Sequence, residues 1–164
     1  MKKIVTSILI IILALILCGN IITKRDTKNF DAKIYYVDHT MLRLIPVNVD
    51  IQNTTTKGAA KEVINKLVEG RDKNSKILRV LPNEEKCMSV TIKDNMAIVD
   101  LKENFIKNKP TNRLHGLLAI YQIVNSLTSI NGIDTVKFYI DGKEDKGFVS
   151  GLDMRETFIP DYYL

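Results

Sequence analysis

The sequence predicts an α+β fold: a two-layer sandwich with two helices on one face of a mixed sheet of about five strands, in the order ββαββαβ. Three observations predict it. Two stretches repeat apolar residues at steps of three and four, as an amphipathic helix does. Alternating or β-branched runs flank them, as half-buried strands require. Between the last two such runs lies enough chain for a helical crossover, so those two strands can pair in parallel.

The elements follow in order. "KIYYVD" and "LIPVNVDI" read as two strands around a turn near Asp38, His39 and Thr40. Pro46 lies inside the second run; a proline has no N–H to donate to a ladder, which places this strand at an edge or a bulge. "TTKGAAKEVINKLVEG" reads as the first helix, with Thr55 or Thr56 as its amino cap and Gly70 at its end. Ala59, Ala60, Val63, Ile64, Leu67 and Val68 form its apolar face. "CMSVTIK" and "MAIVDLK" flank Asp94 and Asn95 and predict a hairpin. The second helix starts after Pro110, with Thr111 or Asn112 as cap, and carries a broad face of Leu114, Leu117, Leu118, Ile120, Tyr121, Val124 and Leu127 to about Ser129. Asn131 and Gly132 stop it. "TVKFYID" supplies the next strand, and a weaker run passes Phe148 and Val149.

The chain of 164 residues starts differently from this domain. A short basic region, Lys2 and Lys3, precedes an apolar run from Ile4 to Leu17, and Lys24 and Arg25 close it. This is a targeting or anchoring segment, either a secretory signal or a membrane span. Residues 1–22 are accordingly a signal peptide or membrane anchor, 23–32 a polar tether, and 33–164 the domain. Cys18 is the lipidation candidate in "LILCGN". Gly19 and Asn20 suit a cleaved lipoprotein, whereas Leu17 is bulkier than the small residue such signals carry before the cysteine. In all these readings an amino terminus held inside by Lys2 and Lys3 exports the domain to the outer face of the membrane.

The net charge of +5 does not point to nucleic acid. Residues 1–31 hold five basic and two acidic residues, so +3 of it flanks the apolar run and only +2 belongs to the rest. Two cysteines, one in the apolar run, offer neither a disulfide framework nor a zinc site. No glycine-rich phosphate loop, GxSxG or paired-histidine motif is written in the chain. His39 in a turn and His115 beside Leu114 and Leu117 read as ordinary surface and helix residues. Asp100, Asp141, Glu144, Asp145 and Asp153 are the carboxylates that a glycan-cleaving pair would draw on. Asp141–Gly142 is nevertheless what a β-turn demands, and Glu144 and Asp145 adjoin Lys143 and Lys146. No enzyme activity, cofactor or metal is expected. Two interaction surfaces stand out: the edge carrying Pro46, and the basic loop with Arg71, Lys73, Lys76 and Arg79.

Laid end to end, "KIYYVD", "LIPVNVDI", "AAKEVINKLVEG", "RVLPNEEKCMSVTIKDNMAIVDLKENF" and "VKFYIDGK" resemble the GerMN domain of bacterial sporulation and germination proteins. The likeness spans roughly residues 33–153. It implies a non-catalytic extracytoplasmic module, similar to the ring-building domains of secretion-type assemblies. Members serve sporulation and spore germination as part of the scaffold for the channel between mother cell and forespore, and are often lipoproteins. The implied partners are envelope or sporulation-channel proteins, or further copies in a ring. The best-known members hold two copies of the domain, where this chain holds one. The alternative is a cell-wall (peptidoglycan) enzyme or glycan-binding accessory lipoprotein working through the Asp100 and Asp141 region.

Overall fold

The computed structural model describes residues 30–53, 55–70, 77–78, 80–81, 88–107, 112–145 and 152–164. Cys18, Cys87, the Arg71–Lys76 stretch, Arg79, and the run through Phe148 and Val149 lie outside the described residues.

The chain enters through a hairpin of β1 (Phe30–Asp38) and β2 (Leu44–Ile51). β1 begins at Phe30, so residues 30–32 of the expected tether belong to the domain. The reason is packing: Ala32 is buried and its strand pairs from Phe30↔Ile51 onward. Helix α1 (Thr56–Glu69) follows. The Thr55 hydroxyl accepts from the Gly58 N–H at 3.0 Å, and Gly70, at φ 69°, ends the helix as glycine can without strain. The six apolar residues expected on its inner face are the six that are buried. A two-residue strand β3 (Ile77–Leu78) comes next, then the hairpin β4 (Met88–Lys93) and β5 (Met96–Leu101) around Asp94 and Asn95. A single helical turn and a half, α2 (Glu103–Lys107), leads toward α3 (Arg113–Thr128), whose amino cap is Asn112. β6 (Thr135–Ile140) and a two-residue β7 (Thr157–Phe158) complete the order.

The fold is α+β, and its expected parallel step is present: α3 carries the chain from β5 to β6, which pair in parallel with Val99 opposite Phe138. The strands divide into two hydrogen-bonded groups, β2-β1-β3 and β4-β5-β6-β7. What keeps them apart lies along the side of β1 away from β2, short of its two-residue pairing with β3. There, the Ser126 Oγ accepts from the Tyr35 N–H at 2.8 Å, and the Ser129 Oγ accepts from the Lys33 N–H at 2.9 Å and lies 3.0 Å from the Lys33 carbonyl. Two helix hydroxyls, three residues apart on α3, therefore stand where a further strand would pair.

That geometry also explains Pro46. Lys33 and Tyr35 turn their N–H groups away from β2, and in an antiparallel ladder opposed residues point the same way with respect to each other's strand. Their partners Asn48 and Pro46 therefore face outward from β2, which is the edge of its sheet. Proline at this position loses no ladder bond.

The core lies between the helices and both sheets. α1 and α3 touch each other, and each touches strands of both sheets. Phe105, Phe138, Ile34, Leu67, Ile120 and Ile123 are among its largest fully buried side chains. α3 is more enclosed than its apolar face suggested. Gln122, Asn125 and Ser126 are buried along with Leu118, Ile120, Ile123, Val124 and Leu127, because sheet, helix and carboxyl-terminal tail surround it.

Candidate functional site

The carboxylates of the last turn were the chemical candidates, and the structure brings Asp100 and Asp141 together. Asp141 (φ 48°) and Gly142 (φ 74°) form the two-residue turn, with Ile140 and Lys143 exchanging backbone hydrogen bonds of 2.8 and 3.0 Å. The Asp100 Oδ1 accepts from the Gly142 N–H at 2.8 Å, while Lys102 reaches the other oxygen of Asp100 and lies 3.7 Å from Asp141. The bond to Asp100, more than the charge of Asp141, holds the Lys102 ammonium above its ordinary pKa. Both carboxylates thus build and neutralise a turn. Glu144 pairs with Lys137 on β6 at 3.3 Å rather than with its sequence neighbour Lys143, because the hairpin turns those side chains toward one another. Asp153 pairs with Arg155. Among the described residues, no group of three or more His, Cys, Asp or Glu side chains could hold a metal.

His39 is exposed, and His115 is half-buried on α3. The notable titratable group of the first turn is instead Asp38, 1% exposed. Its Oδ1 accepts from the Thr40 hydroxyl at 2.6 Å, from the Thr40 N–H at 3.1 Å and from the Leu42 N–H at 3.4 Å; its Oδ2 meets the Arg43 guanidinium at 3.2 Å. The Thr40 hydroxyl foremost, aided by the Leu42 N–H and Arg43, pulls this carboxyl below its usual range against the opposing effect of burial. Met41, at φ 56°, is the residue this wrapped loop forces into the left-handed region.

Of the interaction surfaces read from the sequence, the Pro46 edge is present as an outer strand. The Arg71, Lys73, Lys76 and Arg79 loop lies outside the described residues. A third surface was missed. The carboxyl-terminal tail folds back over the β1–β2 hairpin, on the face opposite the main core. The Asn125 amide clamps the backbone of Asp161 from both sides, Nδ2 to the carbonyl at 2.6 Å and Oδ1 from the N–H at 2.9 Å. Tyr162 then stacks on Tyr35 with ring centres 5.5 Å apart, and the Leu164 carbonyl accepts from the Leu44 N–H at 2.9 Å. Beside this strap opens a cleft of about 880 Å³, lined by Asp31, Lys33, Asn48, Asp50, Thr128 and Tyr162 among others. The signals were an asparagine inside an apolar helix and a "DYYL" tail, neither of which names its partner.

This arrangement is a sheet-and-helix scaffold in which Asp38, Asp100 and Asp141 serve turns. Residues 33–146 match the Germane family, described as sporulation and spore germination, and the chain belongs to that family. Three solved structures share the fold. A candidate lipoprotein from Clostridium perfringens is 20% identical with a TM-score of 0.58, over 80% of this chain and 87% of that one. The first GerMN domain of the sporulation protein GerM from Bacillus subtilis is 21% identical with a TM-score of 0.53, over 75% and 91%. The tandem GerMN domains of the same protein give 20% and 0.55, over 77% of this chain but only 44% of that one, the length of one domain. No curated protein matches the chain in sequence.

Proposed function

We propose that this chain is a membrane-tethered, extracytoplasmic, non-catalytic assembly module acting in sporulation or spore germination. Residues 1–22 serve as signal peptide or anchor, and a tether runs from there to β1. The observation that carries the reading is the family match over residues 33–146 behind an apolar amino-terminal run. The likeness to a candidate lipoprotein favours lipidation of Cys18 as the anchor. Among the described residues, no helix is long and apolar enough to cross a membrane, and the anchor reading concerns residues outside them. Engagement of Asp100 and Asp141 in a turn argues against the cell-wall enzyme that the same residues would have formed.

The module would work by contact between copies or with envelope proteins, through the Pro46 edge and the Arg71, Lys73, Lys76 and Arg79 loop. A contact of unlike surfaces closes into a ring if its rotation permits. Crosslinking in sporulating cells, with Pro46 replaced by a photoreactive residue on the β2 edge, tests this. Adducts to a second copy or to a membrane-associated sporulation protein are expected; a strictly uncrosslinked monomer would remove the proposal. The mass of the mature amino terminus separates the anchors: a diacylglyceryl group on Cys18 supports lipidation, and an intact Met1 supports a span.

A further inference from the structure

We propose that the cleft beside the carboxyl-terminal strap binds a pyranose saccharide, with one sugar ring stacked on Tyr162 and its hydroxyls bonded by Asp31, Lys33, Asn48 and Asp50. The site is separate from the Asp100–Asp141 turn and independent of the assembly role.

Its size fits a small ligand: about 880 Å³, within the range of about 300–1,000 Å³ typical of binding clefts. Its floor is one face of the β1–β2 hairpin. Asp31 lies opposite Asp50 and Lys33 opposite Asn48, and all four are exposed. From Tyr35, which carries the aromatic wall, to Asp31 is four residues, about 13 Å of strand at 3.3 Å per residue, long enough for two linked rings.

The wall is built and held. Tyr162 is 50% exposed, yet its ring is backed by Tyr35, the residue before it is clamped twice by Asn125, and its hydroxyl lies 3.4 Å from the Thr128 hydroxyl. Fixing an aromatic ring with one face open removes the ordering cost that a ligand would otherwise meet. Asp31 and Asp50, like charges directly opposed across two strands, work against the hairpin, and a ligand that hydrogen-bonds to both relieves that repulsion.

The lining selects the ligand. An apolar molecule would strip water from two carboxylates, an amide and an ammonium without replacing their hydrogen bonds. A nucleic acid or free phosphate needs a basic groove, and Lys33 stands against two carboxylates. An extended peptide that added a strand would pair along the outer edge of β2 rather than lie on the sheet face that floors the cleft, since the β1 side is already taken at Lys33 and Tyr35 by Ser129 and Ser126. A sugar needs what is present: a half-exposed aromatic ring for its C–H side, and on the floor a pair of acceptors, Asp31 and Asp50, beside donors from Lys33 and Asn48.

The test uses the full chain in a detergent without a sugar headgroup, since a maltoside would compete. Tetra-N-acetylchitotetraose, its de-N-acetylated counterpart and cellotetraose are titrated by calorimetry and by amide spectra. Expected is binding at millimolar concentration or below, with shifts at residues 31–33, 48–50 and 162. Tyr162→Ala should weaken it about tenfold, as loss of a stacked ring does. Asn48→Ala, on an exposed strand face, should weaken it several-fold with an unchanged melting temperature, so that a structural effect of the tyrosine change does not decide the matter alone. Preference for the de-N-acetylated oligomer assigns Asp31 and Asp50 to an ammonium group; equal affinity for all three assigns recognition to hydroxyls and ring face. No response to any of the three, or binding undiminished in both variants, overturns the proposal.

Discussion

Removing the clamp on the carboxyl-terminal tail should cost more than the two hydrogen bonds it contains, and a double-mutant cycle can show why. Asn125 is fully buried, and both atoms of its amide are spent on the backbone of Asp161. Asn125→Ala removes two bonds at about 0.5–1.5 kcal/mol each, hence about 1–3 kcal/mol. Once the clamp is gone, the Tyr35–Tyr162 stack is no longer anchored, and its loss adds about 0.5–1.5 kcal/mol. The sum of about 1.5–4.5 kcal/mol should lower the melting temperature by roughly 5–18 °C in a domain of this size. Deleting residues 161–164 should cost a similar amount. The decisive measurement is Asn125→Ala in the chain that already lacks the tail, followed by urea unfolding. If Asn125 acts through Asp161, the substitution there is nearly neutral, and the coupling between the two changes equals the whole cost of Asn125→Ala in the full chain, about 1.5–4.5 kcal/mol. Equal destabilisation by Asn125→Ala with and without the tail would refute the clamp.

Ser126→Ala leaves the buried Tyr35 N–H without its acceptor and should destabilise by about 1–3 kcal/mol at unchanged m-value in urea; a cost below about 0.5 kcal/mol would mean the β1 edge finds another partner. Asp38 has a lowered folded pKa, so the stability it contributes is present above its unfolded value of about 3.9 and is lost as pH falls through the folded one. Melting temperature against pH should therefore drop less steeply on the acid side in Asp38→Asn than in the parent. On the alkaline side, Tyr35 is raised by burial first and by Tyr162 second, so its share of stability declines as pH rises above the ordinary tyrosine value of about 10. Asp100→Asn keeps an oxygen for the Gly142 N–H and gives up only the half-exposed pair with Lys102, so the melting temperature should move by no more than a few degrees and wall turnover in cells should not change.

The local elements were legible because their signals are local. Thr55, Gly70 and Asn112 cap what their side chains and backbone freedom suit them to cap, and the six buried positions of α1 repeat at the helical step. Asp141–Gly142 specifies its own turn. Pro46 announced an edge, since a missing N–H is tolerated only where no ladder bond is due. Less was legible of the site. Ser126, Ser129, Asn125 and Tyr162 act on partners 34 to 127 residues away in sequence, and no periodicity encodes which group a hydroxyl, amide or ring will meet.

By itself, then, the sequence determined the α+β class, the order of its main elements and the proline edge, which rest on side-chain period, caps and turn chemistry within a few residues; its resemblance to the GerMN family rests instead on motifs in order along the chain. The tertiary structure alone decided that the strands split into two sheets, that Asp100 and Lys102 close on the Asp141–Gly142 turn, and that the tail closes over the first hairpin beside a cleft. Those outcomes depend on which polar groups satisfy one another once the core excludes water, and that is settled by long-range packing rather than by any local pattern.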